Sequence, residues 1–335
     1  MTTDFRQLGA DGPAVFPLAL GCAAMSGTYG QKRDDAESLA TIDEALEHGV
    51  TMIDTADFYG SGHNEMLIGR AIKGRRDKVI LSAKFGGLRS PDGELCGLDT
   101  RPVAIKNFIA YTLQRLGVDH IDIYRPARLD PAVPIEDTIG AISDLVQAGY
   151  VRHIGLSEVG PDTIRRAHAV HPITDLQIEY SLMSRTPEQH IFPLLEELGL
   201  SVTAYGVLSH GLLGGARPQA QAGDRRAVLP RFSGENFRRN SELVAALTAL
   251  AQEKGATNAQ MAIAWVMAQG DRIIPVIGPR NRTQLRDALA AARITLSAED
   301  LAAIEQAVPA DEVAGTRVNA RQMEMLDSEQ PPSGR

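Results

Sequence analysis

Cysteine is almost absent: Cys22 and Cys96 are the only two in 335 residues. Two cysteines cannot build a disulfide framework, and neither has companions at metal-ligand spacing, so a reducing cytoplasm is the default setting. The eight histidines also fall at no ligand spacing, and no metal site is expected. No apolar run approaches the ~20 residues of a membrane span, and the start lacks the basic-then-apolar pattern of a targeting segment. Positive charge is in deficit, with 34 Lys and Arg against 42 Asp and Glu. A net charge of -8 argues against nucleic acid or an anionic membrane as partner, although a local basic pocket is compatible with it. A further absence concerns topology: no Gly-x-Gly-x-x-Gly follows the first apolar strand, which disfavours a doubly wound open sheet.

What is present is a repeating grammar. A helical stretch carrying Ile105, Phe108, Ile109, Leu113 and Leu116 ends at Gly117 before the strand Ile121-Asp-Ile-Tyr124. Gly149 and Gly199 punctuate two further helix-to-strand steps in the same way. A glycine after a helix adopts the left-handed conformation cheaply, and helix, glycine, strand units imply parallel strands joined by right-handed crossovers. Strand starts near Leu18, Thr51, Lys78, His120, Val151, Thr174, Leu200 and Arg272 number eight, which predicts an α/β chain folded as a (β/α)8 TIM barrel. The turn Ala10-Asp-Gly-Pro13 between extended pieces predicts an N-terminal β-hairpin. The Gly-, Arg- and Pro-rich residues 209–240 read as a long functional loop after strand seven. Residues 1–310 are expected to form one barrel domain, and 311–335 a polar tail whose last part is disordered.

One stretch concentrates chemistry, Thr51-Met-Ile-Asp54-Thr-Ala-Asp-Phe-Tyr59-Gly-Ser-Gly-His-Asn-Glu65. It runs from a strand through a Gly-rich turn into a helix predicted over 66–73, the kind of junction where α/β proteins place active groups. A phenol is a poor acid near neutral pH unless a cation stabilises its phenolate. Lys84, closing the next strand, is the nearest candidate, and Asp54 can hold and charge-balance it. The plain alternative is a tyrosine packed under a loop beside a surface Asp–Lys pair.

Asp54, Tyr59, the turn Gly60-x-Gly62-x-Asn64-Glu65 and Lys84 resemble the active-site block of the aldo-keto reductases, nicotinamide-dependent carbonyl reductases on a TIM barrel. The resemblance runs from about Arg6 to about Ala292, with its motifs in the family's order. It implies that the hairpin closes the barrel's bottom and that Asp54, Tyr59 and Lys84 are catalytic. It implies cofactor-binding roles for Ser157, in the pair Ser157-Glu158, and for Gln177, both toward the nicotinamide carboxamide. Tyr205 matches the aromatic on which the nicotinamide ring stacks, and Leu208 to Gly211 resembles the loop over the pyrophosphate. After the last strand, Gly278-Pro-Arg280 leads into a helix start, a favourable place for phosphate. By resemblance Arg280 grips an adenosine 2′-phosphate, which implies NADPH/NADP+ as cofactor, and Gln284 and Asp287 contact the adenine end. Ala288 stands where the family usually has an adenine-binding Asn.

The pattern breaks once. The family carries a histidine after strand four, and here Ile121-Asp-Ile-Tyr-Arg125-Pro-Ala127-Arg128-Leu-Asp-Pro131 places Ala127 in its stead. Arg125 or Arg128 can aim a guanidinium at the developing oxyanion instead, or both can turn to solvent or to a carboxylate such as Asp130. His63, within the Gly-rich turn, is expected to pack or cap. The leading expectation is an NADPH-dependent reductase of aldehydes or ketones, acting on a small-molecule carbonyl with Tyr59 as proton donor. The alternative is a regulatory barrel that holds NADPH with little turnover, similar to the aldo-keto-reductase-like β subunits of potassium channels.

Overall fold

A computed structural model describes residues 5–27, 33–215 and 224–330. Two short strands, β1 (Arg6–Gln7) and β2 (Ala14–Val15), pair antiparallel and form the expected hairpin. Leu8 and Val15 of this hairpin are fully buried against Ala19, Met52, Ile123, Ile274 and Val276. Arg6 ties it down by donating to the main-chain oxygens of Met267, Gly270 and Ile273.

The repeat then begins with β3 (Ala19–Gly21), α1 (Asp35–Glu47), β4 (Met52–Ala56), α2 (His63–Ala71) and β5 (Ile80–Phe85). A small antiparallel excursion follows, β6 (Gly87–Arg89) with β7 (Leu95–Leu98). It was not anticipated, although Ser90-Pro-Asp-Gly93 at its tip is a recognisable turn signal. The alternation resumes with α3 (Pro102–Leu116), β8 (Ile121–Pro126), α4 (Ile135–Gln147), β9 (Val151–Ser157) and α5 (Pro161–Val170). It continues with β10 (Ile173–Glu179), α6 (Pro187–Leu198) and β11 (Ser201–Tyr205). Helices α7 (Gly234–Glu253) and α8 (Asn258–Ala268) precede the last strand, β12 (Ile273–Ile277). Helices α9 (Arg282–Ala290), α10 (Ala298–Ala307) and α11 (Ala320–Glu324) complete the described chain.

Strands β3, β4, β5, β8, β9, β10, β11 and β12 close in that order into a barrel in which every neighbouring pair is parallel. This is the predicted (β/α)8 fold, and each barrel strand starts within two residues of its expected position. Two boundaries differ. Helix α2 starts at His63 rather than Met66, because Gly60, Ser61 and Gly62 all take positive φ and deliver the chain straight into the helix. Helix α7 already runs through Asn240, whose side chain anchors the main chain of Ala314. The long connection is therefore shorter than 209–240, and its residues 216–223 lie outside the described set. The disorder expected of the last part of the tail falls mostly on residues 331–335, also outside that set.

Side chains alternate across a strand, so every second residue faces the barrel interior. At the hairpin end the inward residues are apolar: Ala19, Met52, Ile123 and Ile274. Further along, the inward residues include Asp54, Ser82, Arg125, Asp175 and Thr203, joined by hydrogen bonds. Polarity thus rises toward the C-terminal ends of the strands. Helices cover the outside with a continuous apolar layer.

Helix α2, which follows the Tyr59 turn, lies hard against the end of α3. A β-carbon at Gly69 would stand 2.6 Å from the carbonyl oxygen of Leu116 and 2.9 Å from that of Arg115. Both are backbone atoms that cannot swing aside. Gly69→Ala is expected to lower stability by about 1–3 kcal/mol through overpacking, read as a lower urea midpoint. An unchanged midpoint would show that α2 has room to shift.

Candidate active site

Asp54 on β4 and Lys84 on β5 meet inside the barrel mouth. Lys84 Nζ donates to Asp54 Oδ1 at 2.5 Å, and both side chains are buried. Oδ2 of Asp54 accepts from Ser82 Oγ at 3.0 Å and from Gln177 Nε2 at 2.8 Å. Strands β4 and β10 are not neighbours in the barrel, so the Gln177 contact crosses its interior. Tyr59 stands just beyond, its ring centroid 5.1 Å from Lys84 Nζ. Burial pushes the Tyr59 phenol above its ordinary value, Lys84 draws it down by charge and hydrogen bond, Asp54 pushes it up and Arg128 draws it down. The net direction is upward, so here the loss of hydration outweighs the neighbouring cation that the sequence led us to expect would dominate.

The turn that presents Tyr59 is held from behind. Asn64, fully buried, donates to the oxygen of Cys22 at 2.8 Å and to Ser26 Oγ at 2.7 Å, and accepts from Thr55 Oγ1 at 2.7 Å. Buried Glu65 accepts from Arg115 Nε at 2.5 Å. His63 bridges Ser26 Oγ and Asp35 Oδ1, each at 3.0 Å, which matches the packing role expected of it.

Ser157, Gln177 and Tyr205 lie at the C-terminal ends of three successive strands, with Ser157 and Gln177 directly paired in register. Tyr205 donates through its hydroxyl to Glu158 Oε1 at 2.7 Å, which fixes the ring. Burial, reinforced by the Glu158 carboxylate, pushes the Tyr205 phenol up. Leu208 precedes Ser209 and His210, which hold positive φ of 46° and 56° without being glycine, and Gly211 at 91°. Buried Arg231 braces this loop, donating to Ser209 Oγ at 3.4 Å and Ser184 Oγ at 2.8 Å.

On the far side, Gly278 and Arg280 are exposed where β12 gives way to α9. The guanidinium of Arg280 makes no hydrogen bond or ion pair among the described residues, while its main-chain N–H donates to Gln284 Oε1 at 2.9 Å. Arg282 is already engaged: its N–H and its guanidinium are held by Glu37 of α1. Asp287 accepts from Gln260 Nε2 at 2.7 Å and Thr257 Oγ1 at 3.1 Å, at the start of α8.

The two arginines flanking Ala127 part company. Arg125 is fully buried in the barrel, its guanidinium shared among Asp175, Thr203 and Ser82. Arg128 reaches the site mouth, donating to the oxygen of Ala127 at 2.6 Å and to Ser157 Oγ at 3.4 Å. Its charge bears on Tyr59, Glu158 and Tyr205. Ala127 itself is buried, its N–H donating to the oxygen of Phe85.

Sequence reasoning missed Arg317. It inserts from the segment after α10, donating to Glu158 Oε2 at 2.5 Å and Oε1 at 2.9 Å, and both residues are buried. Ser328 Oγ and the N–H of Glu179 complete the shell around Glu158. The carboxylate that anchors Tyr205 is thus clamped by the chain's last described segment. No local pattern announces a contact between residues 159 positions apart.

The structure thus sets a buried Asp–Lys contact beside a tyrosine at the mouth of a closed parallel barrel, with an exposed arginine at the last strand's helix start. The aldo/keto reductase family model matches residues 17–309. A probable aldo-keto reductase of Glycine max is 39% identical over 316 residues, covering 93% of this chain and 90% of the relative. Among solved structures, a glycerol dehydrogenase of Gluconobacter oxydans superposes with a TM-score of 0.82 at 26% identity, over 100% of both chains. An aldo-keto reductase of Bacillus halodurans in its holo form gives 0.77 at 30% identity, over 92% of this chain and 97% of the other. The chain belongs to the aldo/keto reductase family.

The Arg317–Glu158 clamp has a readable pH signature. Burial works against the Glu158 charge, but hydrogen bonds and charge from Arg317, with help from Arg128 and Tyr205, hold the carboxyl down to about 2 from an ordinary 4.5. A depressed carboxylate stabilises the fold above its unfolded pKa, and that contribution is lost as pH falls from about 4.5 toward 2. Arg317→Met is expected to cost about 3–5 kcal/mol at pH 7, because it leaves a buried charge unpaired. The cost should shrink below pH 4.5 as Glu158 protonates. Urea denaturation at pH 7, 4 and 3 checks this, and parallel pH slopes in native protein and variant would sink it.

Proposed function

We propose that the protein reduces aldehydes or ketones to alcohols with NADPH, using Tyr59 as the proton donor. The observation that carries this reading is the buried Lys84–Asp54 contact beside the Tyr59 ring. A phenol that remains protonated at neutral pH is a donor, and an ammonium beside it stabilises the phenolate once the proton has gone. Asp54 holds that ammonium in place and balances its charge. Arg128 adds positive potential at the mouth where the substrate oxygen gains charge. Arg125 is unsuited to that task, since its fork is committed inside the barrel.

The residues present fit the cofactor. Arg280 offers a guanidinium without a hydrogen bond or ion pair among the described residues, beside a helix start, a combination that favours a phosphate. The left-handed backbone at Ser209, His210 and Gly211, with Leu208 before it, is the kind of strained loop that persists where an anionic ligand is clamped. Ser157 and Gln177 would hold the carboxamide, and because Gln177 donates to Asp54 its amide oxygen is the acceptor it has to offer. The fixed ring of Tyr205 would carry the nicotinamide face. When bound, the cofactor supplies the hydride that goes to the carbonyl carbon. Gly278 would lie along the adenosine phosphate, and Gln284 and Asp287 at the adenine end, Asp287 after loosening its hold on Gln260. The two cysteines, buried Cys22 and exposed Cys96, are free thiols, which suits the reducing cytoplasm we propose as its setting.

Two substitutions test the assignment. Tyr59→Phe removes only a hydroxyl, so NADPH affinity should stay within a factor of about two while carbonyl reduction falls by at least ~10²-fold. NADPH oxidation across an aldehyde panel reads this, and native protein that binds NADPH without turnover would favour the regulatory-barrel alternative. Arg280→Ala should weaken NADPH by roughly tenfold or more and leave NADH nearly unchanged, as for loss of a charge-assisted phosphate contact. Equal losses for both cofactors, by fluorescence titration, would remove the 2′-phosphate assignment.

A further inference from the structure

Beneath the Asp54–Lys84 contact lies a second buried ion pair that the proposed chemistry leaves unused. Arg125 Nη1 donates to Asp175 Oδ2 at 2.8 Å, and neither side chain has any exposure. Desolvating two ions costs about as much as their attraction returns, so such a pair is a weak device for stability alone. It is also imperfectly satisfied, since Arg125 Nε and Asp175 Oδ1 have no hydrogen-bond partner among the described residues. Space for it depends on Gly155, where a β-carbon would lie 2.7 Å from Asp175 Oδ1 and 3.0 Å from Arg125 Cζ.

The pair's evident effect is on two hydroxyls. Arg125 Nη2 donates to Ser82 Oγ at 3.0 Å, and Nη1 donates to Thr203 Oγ1 at 3.1 Å. A guanidinium has donors only, so each hydroxyl must accept from it and give its one hydrogen elsewhere. Thr203 gives to Asp175 Oδ2 at 2.6 Å, and Ser82 gives to Asp54 Oδ2 at 3.0 Å. An ionised carboxylate only accepts, so Ser82 can only donate to Asp54; Arg125, by donating to the Ser82 oxygen from the other side, holds that hydroxyl where its hydrogen reaches the carboxylate that holds Lys84.

We propose that Arg125 and Asp175 are positioning residues for proton donation, acting through Ser82 to pin Asp54 so that Lys84 stays poised between Asp54 and Tyr59. The proposal rests on the reading of Tyr59 as the donor. The charged groups that face Tyr59 are Lys84, Asp54 and Arg128. Those around the pair are Arg125 and Asp175 themselves, with His153 of β9 in the field of Asp175. Without the Ser82 hydrogen, Asp54 turns more of its negative charge on Lys84 and on the phenol, and Tyr59 becomes a weaker acid.

The test reads Tyr59 ionisation directly, as the ultraviolet difference between each protein and its Tyr59→Phe counterpart across alkaline pH, so it needs no turnover. Ser82→Ala and the charge-neutral double variant Arg125→Met/Asp175→Asn should each raise the midpoint by roughly half to one pH unit. Combining them should raise it no further, because both act through one hydrogen. Arg125→Lys keeps the charge against Asp175 but lacks the second arm of the fork, and it should shift the midpoint too, which covers failure of the double variant to fold. An unmoved midpoint in the Arg125 variants, or shifts that add to that of Ser82→Ala, would overturn the proposal. A native protein inactive on carbonyls would defeat the proposed function instead, and the ionisation measurement would still decide this inference.

Discussion

A carboxylate inside a closed barrel cannot turn to water, and the structure around Asp54 follows from that constraint. An ionised group so placed must collect its hydrogen bonds from the inward residues of other strands. Asp54 takes two from β5, through Ser82 and Lys84, and one from across the interior, through Gln177 on β10. Only closure of all eight strands brings β10 within reach of β4. The fold and the site are therefore one problem: a barrel that failed to close would leave Asp54 short of a donor and Lys84 without a fixed position. The apolar hairpin plug at the other end completes the arrangement by keeping solvent from the barrel's bottom, where Leu8 and Val15 seal the interior.

Much of this was legible because it is local. Helix-to-strand glycines and apolar runs placed the eight barrel strands, since parallel strands buried on both faces read as continuous apolar segments. The Tyr59 turn was legible because Gly60 and Gly62 mark a left-handed path that few other residues take cheaply. Ser61 takes the same path without being glycine, and so nothing in its identity predicted that α2 would start as early as His63. The β6–β7 hairpin had its turn signal, but its strands are too short for periodicity to show.

The rest was hidden for a different reason. Arg125 and Asp175 are 50 positions apart, and Arg317 and Glu158 are 159 apart. Charged residues on amphipathic or mixed segments read as solvated, because that is where most charges lie. Whether an arginine faces water or a buried carboxylate depends on which strand ends up beside it and on the parity of its position along that strand. Arg125 illustrates this: it is two residues beyond Ile123, which belongs to the barrel's apolar plug, so it must point inward once the register with β5 is set. The alternation was available in the sequence, but its partner was not.

Ala127 lies just past the end of β8, buried, with its N–H held by the oxygen of Phe85. Arg128 enters the mouth of the site from the adjoining loop, reaching Ser157 and acting on Tyr59 by charge. The acidity of Tyr59 is set first by its burial and next by the charges of Lys84, Asp54 and Arg128. Lys84 and Asp54 are themselves held by inward residues of the barrel, Ser82 and Gln177 among them, so the charge beside the Tyr59 ring is placed by the same interior that closure of the strands creates.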